Sequence, residues 1–247
     1  QSGALSRPPT ALESGLQTGD LILLAAQRRG DALWSPTIER LPESLAGKHP
    51  ETNLLIAYSG LRDPNADFNA DDAVPAETPA RQDRFLERMR EHNVDGVIIC
   101  PARGTSPELI RRLRAWGVPC VQAMRHVLAK ESDFVAPDFR LAMELAIDHL
   151  AALGHRRIAF IGGAFPVSVT KERYAGFRLA LRRHGLDEGL IFPCPSNFGG
   201  GKTTVPRVLD QASPPTAAVC FNDIVAMGVT AGLATMGRQA GGDFAVM

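Results

Sequence analysis

The sequence has no excess charge of either sign, few aromatic residues and no long apolar run. Lysine plus arginine number 27 and aspartate plus glutamate number 27, so the formal net charge is zero. A neutral chain has no global electrostatic reason to hold nucleic acid, and such contact must be local or made by a separate segment. No apolar stretch approaches the roughly 20 residues that a membrane-spanning helix needs, so no membrane partner is expected. The N-terminal stretch QSGALSRPPTALESG lacks a basic start followed by an apolar run. No secretory signal is therefore expected, and a bacterial cytoplasmic location is.

Cysteine is also scarce. The four stand at 100, 120, 194 and 220, at spacings that fit no zinc pattern. Cys100, Cys120 and Cys220 end or interrupt apolar runs, as small buried hydrophobes do in a reducing compartment, the alternative being a disulfide pair. No serine sits in GxSxG, and the six histidines form no HExxH and no metal pair at helical spacing. His155 follows Gly154 in a turn and His184 precedes Gly185, so both read as capping or surface histidines. No nucleophile is assembled with a base. No catalytic residue, no metal and no cofactor is expected, and the chain reads as a binding protein.

What is present is a globular composition. Of 247 residues, 45% are hydrophobic and 22% charged, enough for one large domain or two lobes, each with a core. Short apolar runs recur at 20–26, 53–60, 95–102, 118–124, 157–163, 216–223 and 243–247. Several are apolar throughout, as strands of a parallel sheet covered on both faces are. Between them lie amphipathic stretches with glycine stops: 106–117, opened by Ser106-Pro107-Glu108, then 138–153, 170–184 and 224–236. The βα alternation, with an extended link near 127–137, predicts two doubly wound blocks with a cleft between them. The polar stretch 61–79 reads as a surface loop.

GGGKTT at 199–204 lacks the leading glycine and strand of a phosphate loop and reads as a flexible loop. Gly162-Gly163 after IAFI lacks dinucleotide-binding spacing and reads as a tight turn at a strand's carboxyl end, where ligands bind in open α/β sheets. Three placements carry more. Arg173 falls in the first turn of the 170–184 helix, where a cation opposes the helix dipole. Asn222 and Asp223 follow an apolar strand, with Asp223 either a helix N-cap or a ligand contact. Asp138 reads first as an N-cap.

The stretch DFVAPDFRLAMELAIDHLAALGHRRIAFIGG, followed in register by KERYAGFRLALRRHGL and PPTAAVCFNDIVAMGVTAGLATMG, resembles LacI/GalR-type transcriptional regulators over roughly 80–247. PTALESGLQTG at 9–19 is similar to the hinge segment of that family, with Pro9, Ala11 and Leu16 in its pattern. The alternative for 1–19 is a flexible leader. Trp34-Ser35 stands where the family opens its first helix at the ligand mouth.

The resemblance implies an α/β, two-lobed periplasmic-binding-protein-like (type I) fold, each lobe a doubly wound parallel sheet. It divides the chain into a hinge-like 1–19, an N-terminal lobe at 20–136 and a C-terminal lobe at 137–247. It implies a homodimer that binds a small sugar-like effector between its lobes and operator DNA through a headpiece. It also implies that family members continue past the position of Met247. Carried over by position, Arg173, Asn222 and Asp223 become effector-binding residues, joined by Arg125, Trp34 and Ser35. Leu16 becomes the wedge that enters the minor groove. Where the family has an Asp-Arg pair, this chain has Met124-Arg125. The lost hydroxyl acceptor leaves room for a less polar or anionic ligand. The other readings are a periplasmic solute-binding protein and an α/β enzyme acting on a nucleotide sugar or phosphate.

Overall fold

The computed structural model describes 96–101, 104–164, 167–188 and 190–247, with helical positions inside 83–90; of 20–25, 53–58 and residue 100 only the backbone is described. Leu16, Trp34 and Ser35 lie outside the described residues. The chain divides into two compact units, and the described residues from Pro137 to Met247 belong to the second.

The first unit holds one parallel sheet. Its strands are β1 (Asp20–Ala25), β2 (Asn53–Tyr58), β3 (Gly96–Cys100), β4 (Cys120–Ala123) and β5 (Asp133–Val135), in the order β2-β1-β3-β4-β5. Helix α1 (Pro107–Ala115) begins as its sequence predicts: Ser106 caps it by accepting from the Glu108 N–H, and proline follows at once. It buries Leu109, Ile110 and Leu113 against Val97 and Ile99 of β3 and against Leu86 and Met89. The link near 127–137 holds a strand that its length hid: β5 is three residues long, with every side chain exposed.

The second unit is built from β6 (Ile158–Ile161), β7 (Ile191–Phe192), β8 (Ala217–Cys220) and β9 (Ala245–Val246), all parallel, in the order β7-β6-β8-β9. Its helices are α2 (Phe139–Ala152), α3 (Ser168–Arg183), α4 (Phe198–Leu209) and α5 (Asp223–Thr235). All four residues of β6 are buried. Alternation explains why. Phe160 meets Tyr174 and Phe177 of α3 edge-on at 4.9 and 5.4 Å. Ala159 and Ile161 point the other way, into a cluster with Val205 and Val208 of α4 and Val225, Val229 and Leu233 of α5.

Three sequence expectations need correction. The GGGKTT stretch is not a loop but the start of α4, capped by Asn197, whose Oδ1 accepts from the Gly200 N–H at 2.6 Å. Its glycines serve packing. A β-carbon at Gly201 would fall 2.3 Å from the Val225 carbonyl oxygen, and one at Gly228 would fall 2.1 Å from that of Phe198. Helices α4 and α5 therefore meet at backbone distance, and tertiary contact overrides the weak helix propensity of glycine and Pro206. Next, α3 starts at Ser168, two residues earlier than its sequence suggests, because Val167 takes the extended cap position. Finally, Asn222 rather than Asp223 caps α5, accepting from the Val225 N–H at 3.0 Å.

Candidate functional site

In the second unit the chain leaves β6 for β7 on one side and later enters β8 on the other. The carboxyl ends of β6 and β8 thus form the topological switch point, where open α/β sheets bind ligands. β6 ends in Gly162 and Gly163, with φ of 115° and 68°. That backbone favours glycine, as the tight-turn reading requires. β8 runs into Phe221 and Asn222, and the Phe221 N–H donates to the Ile161 carbonyl at 2.8 Å, holding the two ends together.

Arg173 projects from α3 at this rim. Its guanidinium carbon lies 4.5 Å from the ring centroid of Phe139 and 4.5 Å from that of Phe221. Both phenylalanines are buried at 6% exposure. Because α3 begins at Ser168, Arg173 is in the second turn and not the first. The dipole repulsion expected there is small, since it fades within the first turn. Two cation–π contacts hold the side chain instead.

The neighbouring Tyr174 hydroxyl donates to the Gly162 and Gly163 carbonyls at 3.1 and 3.2 Å. Burial holds its phenol above the ordinary value, so it remains a donor at neutral pH. Asn222 uses Oδ1 to cap α5, and its amide NH2 carries two further donors. Asp223 is exposed in the first turn of α5. Asp138 is the N-cap its sequence predicts, accepting from the Leu141 N–H at 2.8 Å.

Arg125 belongs to the first unit, in the loop after β4. There Gln122, fully buried, donates from Nε2 to the Val127 carbonyl at 2.8 Å and accepts from the Val127 N–H at 2.7 Å. The clasp closes a turn in which Met124 has a φ of 63° and Leu128 one of 53°. That left-handed backbone is costly for side chains of this kind. Strained backbone at a strand's carboxyl end fits a functional loop.

Away from the rim, His155 and His184 serve structure. His155 Nδ1 lies 2.8 Å from Thr216 Oγ1, and His184 Nε2 lies 2.7 Å from Asp148 Oδ1. Cys220 is buried, and burial pushes its thiol up to about 12; Cys120 is pushed up to about 11 for the same reason. Both are inert as nucleophiles at neutral pH. Among the described residues no group of three or more metal-ligating side chains is found, and no helix is long and apolar enough to cross a membrane.

The sequence reading missed Phe139, Phe221, Tyr174 and Gln122. An aromatic directly before Asn222 and a glutamine inside the apolar run VPCVQAM were the available signals. Tyr174 left none.

Residues 73–246 match the family of periplasmic binding proteins and the sugar-binding domain of the LacI family. The chain belongs to that family, and its fold is the type I periplasmic-binding-protein-like one. It is 33% identical over 155 residues to the maltose regulon regulatory protein MalI of Escherichia coli, across 62% of this chain and 45% of that protein. It is 29% identical over 169 residues to the ribose operon repressor of the same species, across 68% of this chain and 51% of that one. The chain spans about half the length of these curated relatives. Among solved structures it superposes on the transcriptional regulator CelR–cellobiose complex with a TM-score of 0.74 at 21% identity, covering 94% of this chain and 67% of that one. The regulator CcpA of Lactococcus lactis gives 0.71 at 23%, covering 93% and 78%.

Proposed function

We propose that this chain is the effector-sensing part of a DNA-binding transcriptional regulator. A small molecule, a sugar or sugar derivative, binds at the carboxyl rim of β6 and β8 and changes affinity for operator DNA. Arg173 clamps it through charge-assisted hydrogen bonds, Asn222 donates to it, and Asp223 flanks it. Arg125, in the loop after β4, is a further candidate carried by family position. The observation that carries this reading is Arg173 held at the switch point over Phe139 and over Phe221, the residue that precedes Asn222. Family membership and the regulator names of its relatives favour sensing over transport or catalysis.

The complete regulator is a cytoplasmic homodimer whose separate headpiece contacts DNA. Most of α5 faces its own core, through Val225, Gly228, Val229, Gly232 and Leu233. The apolar surface it offers a second copy is narrower than its sequence suggests and centres on Met227, which is 63% exposed.

Titration calorimetry against maltose, ribose and cellobiose tests the site. Arg173→Ala should lose about 1.5–3 kcal/mol, a ten- to hundredfold weaker Kd. An unchanged Kd would overturn it. A gel shift of the full gene product, with and without the ligand found, tests the link to DNA. Sedimentation as a monomer at micromolar concentration would count against the dimer.

A further inference from the structure

We infer that Tyr174 is a positioning residue for Arg173. Its hydroxyl fixes the glycine turn after β6, the turn seats Phe221, and Phe221 holds the guanidinium. The inference rests on the sensing site proposed above and names the residue that sets its arginine in place.

The first ground is the weakness of the turn by itself. Gly162 and Gly163 both have positive φ, and a glycine backbone has more freedom to lose than any other. The Gly162 N–H is tied to the Phe192 carbonyl at 3.0 Å. The carbonyls of Gly162 and Gly163 are reached from α3, by the Tyr174 hydroxyl at 3.1 and 3.2 Å. A phenol carries one proton, so the two contacts share it and close the turn as a single clasp. The hydroxyl itself has a fixed place, because the Tyr174 ring stands edge-on to the fully buried Phe160 at 4.9 Å.

The second ground is what leans on the turn. A β-carbon built at Gly162 would fall 2.5 Å from Phe221 Cβ, and one built at Gly163 would fall 3.3 Å from Phe221 Cδ2. Phe221 therefore lies against both glycines, and a turn that moved would carry the ring with it or leave a gap. The centroid of that ring is 4.5 Å from the Arg173 guanidinium carbon, within the range of a cation–π contact. Tyr174 and Arg173 are neighbours in α3, yet this route between their polar ends passes through the ends of β6 and β8. A binding group keeps its geometry when the residues behind it are locked in this way.

Proton–nitrogen NMR of the full chain reads this series of contacts without any ligand. The Arg173 Nε–H signal, assigned by its loss in Arg173→Lys, should lie upfield of solvent-exposed arginines, because two rings shield it. Tyr174→Phe keeps the ring and removes only the hydroxyl. It should move the signal downfield, toward its position in Phe221→Leu. Phe177→Leu is the control for a merely structural change. It removes the other ring packed on Phe160, should lower the Tm and should leave the signal in place. Calorimetry with maltose, ribose and cellobiose is the functional arm. Any of these that binds should bind about three- to tenfold more weakly to Tyr174→Phe. A signal unmoved in Tyr174→Phe, or moved as far in Phe177→Leu, would overturn the inference. So would a sugar that binds Tyr174→Phe as tightly as the wild type. A signal that moves as expected, with Kd unchanged in Arg173→Ala, would leave the contacts standing and overturn the sensing site instead.

Discussion

Gly162 faces Phe221 with no room between them: a β-carbon at Gly162 would fall 2.5 Å from the β-carbon of Phe221. Gly162 also has a φ of 115°, which an L side chain rarely adopts. Gly162→Ala should therefore meet backbone strain and overpacking together, about 2–4 kcal/mol in all. Because Phe221 must move, Arg173 loses one of its rings and ligand affinity should fall too. Gly185→Ala is the control. It has a positive φ but open space around it, and should cost only about 1 kcal/mol with affinity unchanged. Urea denaturation and calorimetry on both variants check the contrast.

Gln122→Leu should destabilise the first unit by about 2–4 kcal/mol, because the Val127 N–H and carbonyl both lose a buried partner. Apolar burial by leucine recovers only part of this. Hydrogen exchange at the Val127 amide should accelerate well before global unfolding. An amide as protected as in the wild type would show that the clasp does not hold the turn.

Gly201→Ala sets two effects against each other. Alanine in a helix is favoured over glycine by about 1 kcal/mol. Against this stands a contact of 2.3 Å with the Val225 carbonyl oxygen, an immovable backbone atom unless α4 and α5 separate. Overpacking costs about 1–3 kcal/mol, and here it should win. A raised Tm would mean that the helices part without loss.

Asp148 accepts from His184 and takes both Arg183 Nη2 contacts, at 2.5 and 2.6 Å. These contacts, His184 first and then Arg183, hold its carboxyl below the ordinary 3.8. A carboxyl lowered by folding lends stability above its unfolded pKa and loses it as the pH falls through the folded value. The α2–α3 tie should therefore be intact at neutral pH and fade below 3.8. Asp148→Asn should melt slightly lower at pH 7, the effect being small at an exposed site, and the difference from wild type should vanish in acid. A difference that persists there would point to packing rather than charge.

The fold was legible wherever one element carried its own signal. IAFI has no polar residue to place outward, so a strand buried on both faces follows. Ser106-Pro107 and Gly117 bracket α1 from both ends. Helix α4 was illegible because its glycines are there for α5, and a partner's backbone leaves no mark in local sequence. β7 is two residues long and flanked by proline, too short for any period. At the site, Arg173 was legible by position, but the rings that hold it come from residues 34 before and 48 after. Such company is assembled only by the sheet.

All four strands of the second unit run the same way, and this gives its two rims different occupations. At the amino rim, His155 joins Thr216 and the Arg157 Nε donates to the Ser213 carbonyl at 2.8 Å. Those groups, together with Asp187 at 3.5 Å from Arg157 Nη1, bind within the unit and could be exchanged for other well-fitted pairs without touching the opposite rim. The carboxyl rim has no such freedom. Under the sensing role proposed above, a library meant to retune the chain to a new effector would be confined to positions 139, 173, 174, 222 and 223, with the opposite rim reserved for stabilising changes that restore what the first set loses.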